Sequence, residues 1–426
     1  MGAVIIVFLT LLFLGVPVAF AIALAGVTFF FQHPELPMTM IVQQPISQTQ
    51  NSAMLAIPLF ILAGNIMNAG GITKRLVKFA SVLTKSMRGG LAQSSVVLSA
   101  LMGGVSGSAT ADAAMEARLL GPSMEKAGYD KGYSSNVIAW TSLITATIPP
   151  GIGIIIYGTV GEVSIGRLFS CGLFMGLLMM VLLMITVSIT SKKYGFQSEK
   201  GKRASGNEIW ESFKECIWAL FFPILLLAGI RLGLFTSSEV GSFACVYGLV
   251  VGTFIYRELT YKTLKSALLV SVVDIGAIML IIAMSGSFGY GIPFEQLPQK
   301  LTAFMLNISS SKYIIMILIV IVLTILGMFM EGSVTILLLT PIFLPLVRSL
   351  GVDPVHFGLI MCTTVTMGLN TPPVGISMYA TNQILNTSMS SYIKYMWPFL
   401  ITIIIEIIAM IFCPNLMLFL PNLLYS

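Results

Sequence analysis

Apolar residues fall along this chain in long blocks, separated by short polar stretches, and not at the alternate or three-to-four spacing of a half-buried element. Continuous apolar runs occupy 3–31, 55–71, 136–158, 164–190, 215–233, 240–256, 266–290, 355–380 and 396–420. Most are near the ~20 residues that a helix needs to cross about 30 Å of hydrocarbon. Two more apolar regions, 91–120 and 313–347, are interrupted midway. Each predicts a hairpin that enters and leaves the membrane on one side. In the first, 91–102 and 109–120 are arms of about 18 Å, too short to cross. In the second, Pro341 and Pro345 favour a broken, packed return arm. The basic amphipathic segment 72–88 predicts a helix lying flat on the surface. The stretch 191–208, with Lys192, Lys193, Lys200, Lys202 and Arg203, reads as a polar linker. The first run is too long for a signal peptide and is expected to stay in the mature protein. The expected fold is an all-α polytopic membrane protein with two re-entrant hairpins.

Composition sharpens the picture. Charged residues make up 9% of the chain and hydrophobic ones 56%, with a mean hydropathy of +0.95. Soluble domains carry about 25% charged residues, so no arrangement of soluble domains fits. The net charge of +6 is not a nucleic-acid footprint, because the basic residues sit in loops between apolar runs. With the N-terminus in the cytoplasm and the C-terminus on the far side, 18 of the 23 Lys and Arg fall on the cytoplasmic face. That asymmetry fixes orientation in membrane proteins. The five cysteines have no CxxC spacing and read as reduced core residues.

The chain also repeats itself. SGSAT at 106–110 matches EGSVT at 331–335, GPSMEKAGYD at 121–130 matches LPLVRSLGVD at 344–353, and TATIPPGIGIIIYG at 145–158 matches GLNTPPVGISMYA at 368–380. Five predicted spans lie between the two hairpins. An odd number turns the second copy upside down, the arrangement of many secondary transporters. Each copy ends in a helix interrupted by a Pro-Pro pair, which removes backbone donors and frees carbonyls. Unwound backbone is costly in lipid and persists where it lines a cavity or is buried in protein. Carbonyls at half-helix C-termini can take Na⁺, and amides at N-termini can take an anion.

The candidate residues are therefore Gly103, Gly104, Ser106, Gly107, Ser108 and Thr110 at the first tip, with Thr145, Thr147, Pro149, Pro150, Gly151 and Gly153 at the first break. Gly327, Glu331, Gly332, Ser333 and Thr335 form the second tip, and Thr366, Gly368, Asn370, Thr371, Pro372, Pro373 and Gly375 the second break. Neutral oxygens of this kind suit Na⁺ and not Zn²⁺. Glu331 reads either as a cation-side ligand or as a helix cap. Asp112 and Glu116 share a helix face and are expected to be neutralised by Arg118 or a basic loop. Asp274 and Glu406 are expected to pair or to face water. His356 reads as interfacial and His33 as a loop residue.

These segments resemble a known family. GGVSGSATADAA at 103–114, TATIPPGIGIIIYG, GMFMEGS at 327–333 and GLNTPPVGISMY at 368–379 are similar to the large membrane subunit of the tripartite ATP-independent periplasmic (TRAP) transporters, over essentially the whole chain. The resemblance implies an elevator mechanism in a bacterial inner membrane and Na⁺-driven import of organic acids, with sialic acid ahead of four-carbon dicarboxylates. It implies two partners, a small four-helix membrane subunit and a periplasmic substrate-binding protein. It places Na⁺ among Ser106, Gly107, Ser108, Thr145, Thr147, Gly327, Gly332, Ser333, Gly368 and Thr371, to which the reading of the tips and breaks adds Gly103, Glu331 and Thr366. The substrate would sit at Ser108, Thr110, Ser333, Thr335 and Asn370. The expected division is scaffold and arm over 1–90, transport domain over 91–160 and 313–380, connecting scaffold over 161–312, and a last scaffold helix over 381–426.

Three rival readings stay open on the sequence. One is a carboxylate symporter that needs no binding protein. The second is an intramembrane serine protease, with Ser106 of Gly104-Val105-Ser106-Gly107 as nucleophile. It would need a base that only His33 or His356 could supply. The third is a channel or scaffold, but no continuous polar pore stripe supports it.

Overall fold

The computed structural model describes residues 1–196 and 204–425. Among these the chain is helical, without strands. The helices are α1 (Gly2–Phe13), α2 (Val18–Gln32), α3 (Met40–Thr49), α4 (Ala56–Ala69), α5 (Ile72–Thr84), α6 (Gly90–Gly103), α7 (Ala109–Lys126), α8 (Lys131–Thr147), α9 (Ile152–Val160) and α10 (Ile165–Tyr194). There follow α11 (Gly206–Arg231), α12 (Ser237–Val250), α13 (Tyr261–Phe294), α14 (Leu297–Ile308), α15 (Lys312–Phe329), α16 (Gly332–Ser349), α17 (Pro354–Gly368), α18 (Ile376–Leu385), α19 (Met389–Phe412) and α20 (Pro414–Leu424). Eight of the described helices are long and apolar enough to cross a membrane, or nine with the bent pair α8/α9.

The repeat is visible in the packing. In the first copy the hairpin α6–α7 packs on α8, and α10 packs on both α6 and α8. In the second, α15–α16 packs on α17, and α19 on both α15 and α17. The copies are interlocked. The first copy's α8 packs against α19 and α18, and the second copy's α17 against α10 and α9. Every residue of α8 from Gly132 to Thr145 is buried. Its polar groups bond across the copies, Asn136 Nδ2 donating to Tyr392 O at 2.7 Å and Ser135 Oγ to Asn382 Oδ1 at 2.6 Å. Around this centre α4 packs on α12 and α13, and α2 on α13.

The two breaks lie where the sequence puts them. α8 turns into α9 through Ile148–Gly151 with a 41° bend. α17 gives way to α18 across Leu369–Gly375, and both Pro-Pro bonds are cis. The positive φ of Gly375 opens α18.

Several expectations need correction. The run 3–31 is not one span. Gly15, with φ +79°, and Pro17 turn it into two short helices, α1 and α2, packed on each other. Met1 and His33 consequently both reach Glu295, so residue 1 lies at the same end of the fold as His33. The return arm of the first hairpin runs on to Lys126, well beyond residue 120, through Pro122. α16 also runs unbroken through Pro341 and Pro345, held by burial of most of its length. The last run divides into α19 and α20 at Cys413–Pro414, where proline starts the new helix.

The segment 72–88 forms α5, with Leu76 and Ala80 buried and Lys78 paired to Glu215 on α11 at 2.7 Å. Its counterpart in the second copy is α14, a short amphipathic helix directly before the second hairpin. No sequence expectation covered it. Of the linker 191–208, residues 191–194 belong to α10 and Ser205 caps α11 in a capping box with Glu208. Lys200, Lys202 and Arg203 lie outside the described residues.

Candidate functional site

Both hairpin tips and both broken helices meet at one cavity. It is lined by Gly107, Ser108 and Thr110 of the first tip, Ile152 and Gly153 of α9, Glu331, Gly332 and Ser333 of the second tip, and Thr366 of α17 with Leu369 at the start of the second break. Ala146, Ile336 and Cys362 add apolar surface, and Ile278 of α13 closes one side. None of the lining residues is Lys or Arg.

The geometry follows from local rules. Three helices begin at this cavity: α7 after Ser108, α9 after Gly151 and α16 after Glu331. A helix N-terminus leaves amides without intrahelical partners and carries a partial positive charge. Three such ends on one space form a preorganised seat for an anion. Ser108 caps α7, its Oγ accepting from Ala111 N at 3.4 Å. Glu331 caps α16, one carboxylate oxygen accepting from Ser333 N at 2.8 Å and Val334 N at 3.2 Å. Of the two readings of Glu331, the cap is thus realised, and its carboxyl group stands at the cavity wall.

Each tip is tied to a break by close backbone contact. Gly107 adopts φ +63°, and a Cβ there would lie 2.1 Å from the Pro150 carbonyl oxygen. Gly107 O accepts from Ile152 N at 3.1 Å, so the tip helps to start α9. In the second copy Gly375 N donates to Met328 O at 2.9 Å. A Cβ on Gly327 would lie 2.7 Å from Val365 O, and one on Gly368 2.6 Å from the Gly327 carbonyl carbon. The copies are also joined, Thr110 Oγ1 lying 3.0 Å from Ser377 Oγ on α18.

Other nominated residues lie behind this lining. Thr145 Oγ1 bonds Asp112 Oδ2 at 2.6 Å and Ser99 O at 2.8 Å. Thr147 and Thr366 donate their hydroxyls to their own helices, at Leu143 O and Cys362 O, and Thr371 in the second break donates to Met367 O of α17. Thr335 does the same to Glu331 O. Gly103 packs against Ile148. Ser106 lies at the first tip outside the cavity lining, near Gly64 of α4. Asn370 is fully buried at the second break, and neither its Oδ1 nor its Nδ2 has a partner among the described residues. Its carbonyl accepts from Tyr392 Oη at 3.0 Å.

Three expectations about charge are overturned or refined. Arg118 is exposed and does not neutralise the acidic pair. Ser95 and Ser99 donate to the Glu116 carboxylate, the latter at 2.9 Å, and Thr145 bonds Asp112. Glu406 is buried with no partner for either oxygen among the described residues, where pairing or water was expected. Asp274 accepts from Asn65 Nδ2 at 3.2 Å. His356 is buried, its Nε2 2.7 Å from Met410 O, and His33 bonds Glu35 and Glu295. Neither imidazole is free to serve as a base for Ser106. The liners missed on the sequence are apolar, Ile278 above all. Nothing in a continuous apolar run distinguishes a residue facing a cavity from one facing lipid.

Comparison with known proteins agrees with this geometry. Residues 5–416 match the family described as the tripartite ATP-independent periplasmic transporter, DctM component. A putative TRAP transporter large permease protein of Haemophilus influenzae is 34% identical over 97% of this chain and 98% of its own length. The 2,3-diketo-L-gulonate TRAP transporter large permease protein of Escherichia coli is 33% identical over 95% of each chain. The sialic acid TRAP transporter large permease protein of Vibrio cholerae is 32% identical over 97% of each. Among solved structures, the Alcanivorax borkumensis YdaH transporter shares the fold with a TM-score of 0.63 at 13% identity, covering 87% of both chains. These relatives are transporter permeases and not enzymes, which removes the protease reading. The chain is a multi-pass membrane protein that belongs to the DctM family, the large permease component of the tripartite ATP-independent periplasmic transporters.

Proposed function

We propose that the chain carries an organic acid into the cell by Na⁺-coupled secondary transport, with sialic acid the preferred substrate and a four-carbon dicarboxylate second. The observation that carries this reading is the convergence of three helix N-termini and two hairpin tips on one cavity without Lys or Arg in its wall. An anion there is held by amides and hydroxyls, with the Glu331 carboxylate nearby. That seat favours the anion only when a cation enters with it, which couples the two ligands. Na⁺ is a co-substrate in this scheme. It is taken by neutral oxygens at the tips, around Ser106, Gly107, Ser108, Gly327, Gly332 and Ser333, and at the breaks, around Thr145, Thr147, Gly368 and Thr371. The buried, unpartnered amide of Asn370 supports a polar ligand at the second break.

The hairpins and broken helices, 91–160 and 313–380, move as a transport domain in an elevator step. The remaining helices form the scaffold. A small membrane subunit stands beside the scaffold, and a periplasmic binding protein delivers the substrate. Names of relatives support the substrate class, since they include sialic acid, C4-dicarboxylate, 2,3-diketo-L-gulonate and isethionate permeases.

The test is uptake into proteoliposomes holding the chain with its small subunit. Sialic acid and succinate are each offered with a binding protein outside, with and without an inward Na⁺ gradient. Uptake that needs both Na⁺ and the binding protein is expected. Uptake without the binding protein replaces this reading with a self-sufficient carboxylate symporter, and uptake indifferent to Na⁺ removes the coupling.

A further inference from the structure

A second, polar cavity lies beside the first. Its walls include Gln48 and Asn51, Thr159 and Glu162 at the end of α9, and Ser285 of α13, over a floor that includes Leu337 of α16. It shares three helices with the first cavity. Along α9, Thr159 is six residues beyond Gly153, about 9 Å. Along α13, Ser285 is seven residues beyond Ile278, about 10 Å. The second cavity therefore sits one ligand-length from the helix N-termini, toward the face that carries few Lys and Arg.

Its lining is unusual for this chain. Four of the ten glutamines fall within 43–50, and of these Gln48 lines the cavity together with Asn51. The segment that carries them is clamped to α13. A Cβ on Gly286 would lie 2.6 Å from Gln44 O, and Ser287 Oγ donates to Ile41 O at 3.2 Å. Thr159 lines the cavity and is 8% exposed, and its buried hydroxyl has no partner among the described residues. No Lys or Arg lines the space. Arg348 stands behind it, donating to Gly161 O at 3.1 Å.

We propose that this cavity is an outer subsite for the hydroxyl-bearing part of a polyhydroxylated acid, whose carboxylate leads toward the helix N-termini. Side-chain amides and hydroxyls both donate and accept, and the Glu162 carboxylate accepts, so together they match a row of hydroxyls. A dicarboxylate finds no cation here and one like charge, which disfavours it. The inference rests on the transport reading and selects sugar acids within it.

The test uses the full chain with Cys413→Ser, which removes the exposed thiol, and Thr159→Cys. Labelling by a maleimide is timed in Na⁺ with N-acetylneuraminate, D-gluconate or succinate. Asn51→Cys, at the exposed mouth, repeats the experiment should Thr159→Cys misfold. The two sugar acids are expected to slow labelling about fivefold or more, the worth of one or two ligand hydrogen bonds, with succinate without effect. Equal protection by succinate overturns the proposal, as does failure of both sugar acids to protect. Uptake by the unlabelled wild type is measured alongside. Intact Na⁺-driven uptake without protection removes the subsite alone, and loss of uptake for every acid removes the transport reading as well.

Discussion

Gly107→Ala and Gly128→Ala form a matched pair that isolates the tip contact. Both glycines are in the left-handed region, at φ +63° and +83°. A side chain costs about 1–2 kcal/mol in that conformation, and both variants carry this cost. Only Gly107 meets a second one. Its new Cβ would lie 2.1 Å from the Pro150 carbonyl oxygen and 3.3 Å from Gly151 Cα, both backbone, whereas nothing lies within 4 Å at Gly128. Backbone does not rotate aside, so the tip must separate from α9 and give up the Gly107 O to Ile152 N bond, about another 1 kcal/mol. The cavity wall is displaced at the same time. Na⁺-driven uptake in proteoliposomes, normalised to inserted protein, is expected to fall about tenfold or more for Gly107→Ala, a factor equivalent to about 1.4 kcal/mol. For Gly128→Ala it should stay within about twofold. Equal uptake by the two variants would refute the claim that the tip-to-break contact shapes the transport site.

Other positions separate space, capping and surface charge. At Gly332 the nearest atoms to a new Cβ are side-chain carbons at 3.5 and 3.7 Å, so Gly332→Ala should transport and Gly332→Leu should not, with both inserting normally. Glu331→Ala removes the cap on α16, and thermal unfolding should show a loss of about 1–2 kcal/mol that Glu331→Asp largely restores. The Lys78–Glu215 pair is exposed on both sides, so Lys78→Ala should change stability by less than about 0.5 kcal/mol in the same assay.

What could be read from the sequence follows from what each signal depends on. The breaks at Pro149-Pro150 and Pro372-Pro373 were legible because proline acts through its own backbone, whatever surrounds it. The repeat was legible because it is a relation between segments, and the packing keeps it. The fold-back of α1 on α2 was not, since an apolar run of 29 residues hides a Gly15 and Pro17 turn that is cheap in either environment. Helix α14 was missed because it is short, amphipathic and opens on Leu297-Pro298, with only Glu295 and Gln296 between it and α13. At the site, Gly107, Ser108, Thr110, Glu331 and Ser333 were nominated by type and line the cavity. Thr145 was nominated by the same rule, yet its hydroxyl is engaged by Asp112, 33 residues earlier. Side-chain chemistry indicates which residues can bind a ligand. Tertiary neighbours decide which of them are already occupied.

The interlocking of α8 with α19 has a consequence for biogenesis. Asn136 finds its acceptor at Tyr392, 256 positions later, and Ser135 finds Asn382, 247 positions later. While the ribosome is still making the second half, these amide and hydroxyl groups sit in the bilayer without their final partners. The innermost helix is therefore inserted early and completed last. An N-terminal half released on its own would expose that polar stripe to lipid and to membrane proteases. The two halves should behave as subunits of an obligate heterodimer that happen to share one polypeptide, recovering function when co-expressed and not when made singly.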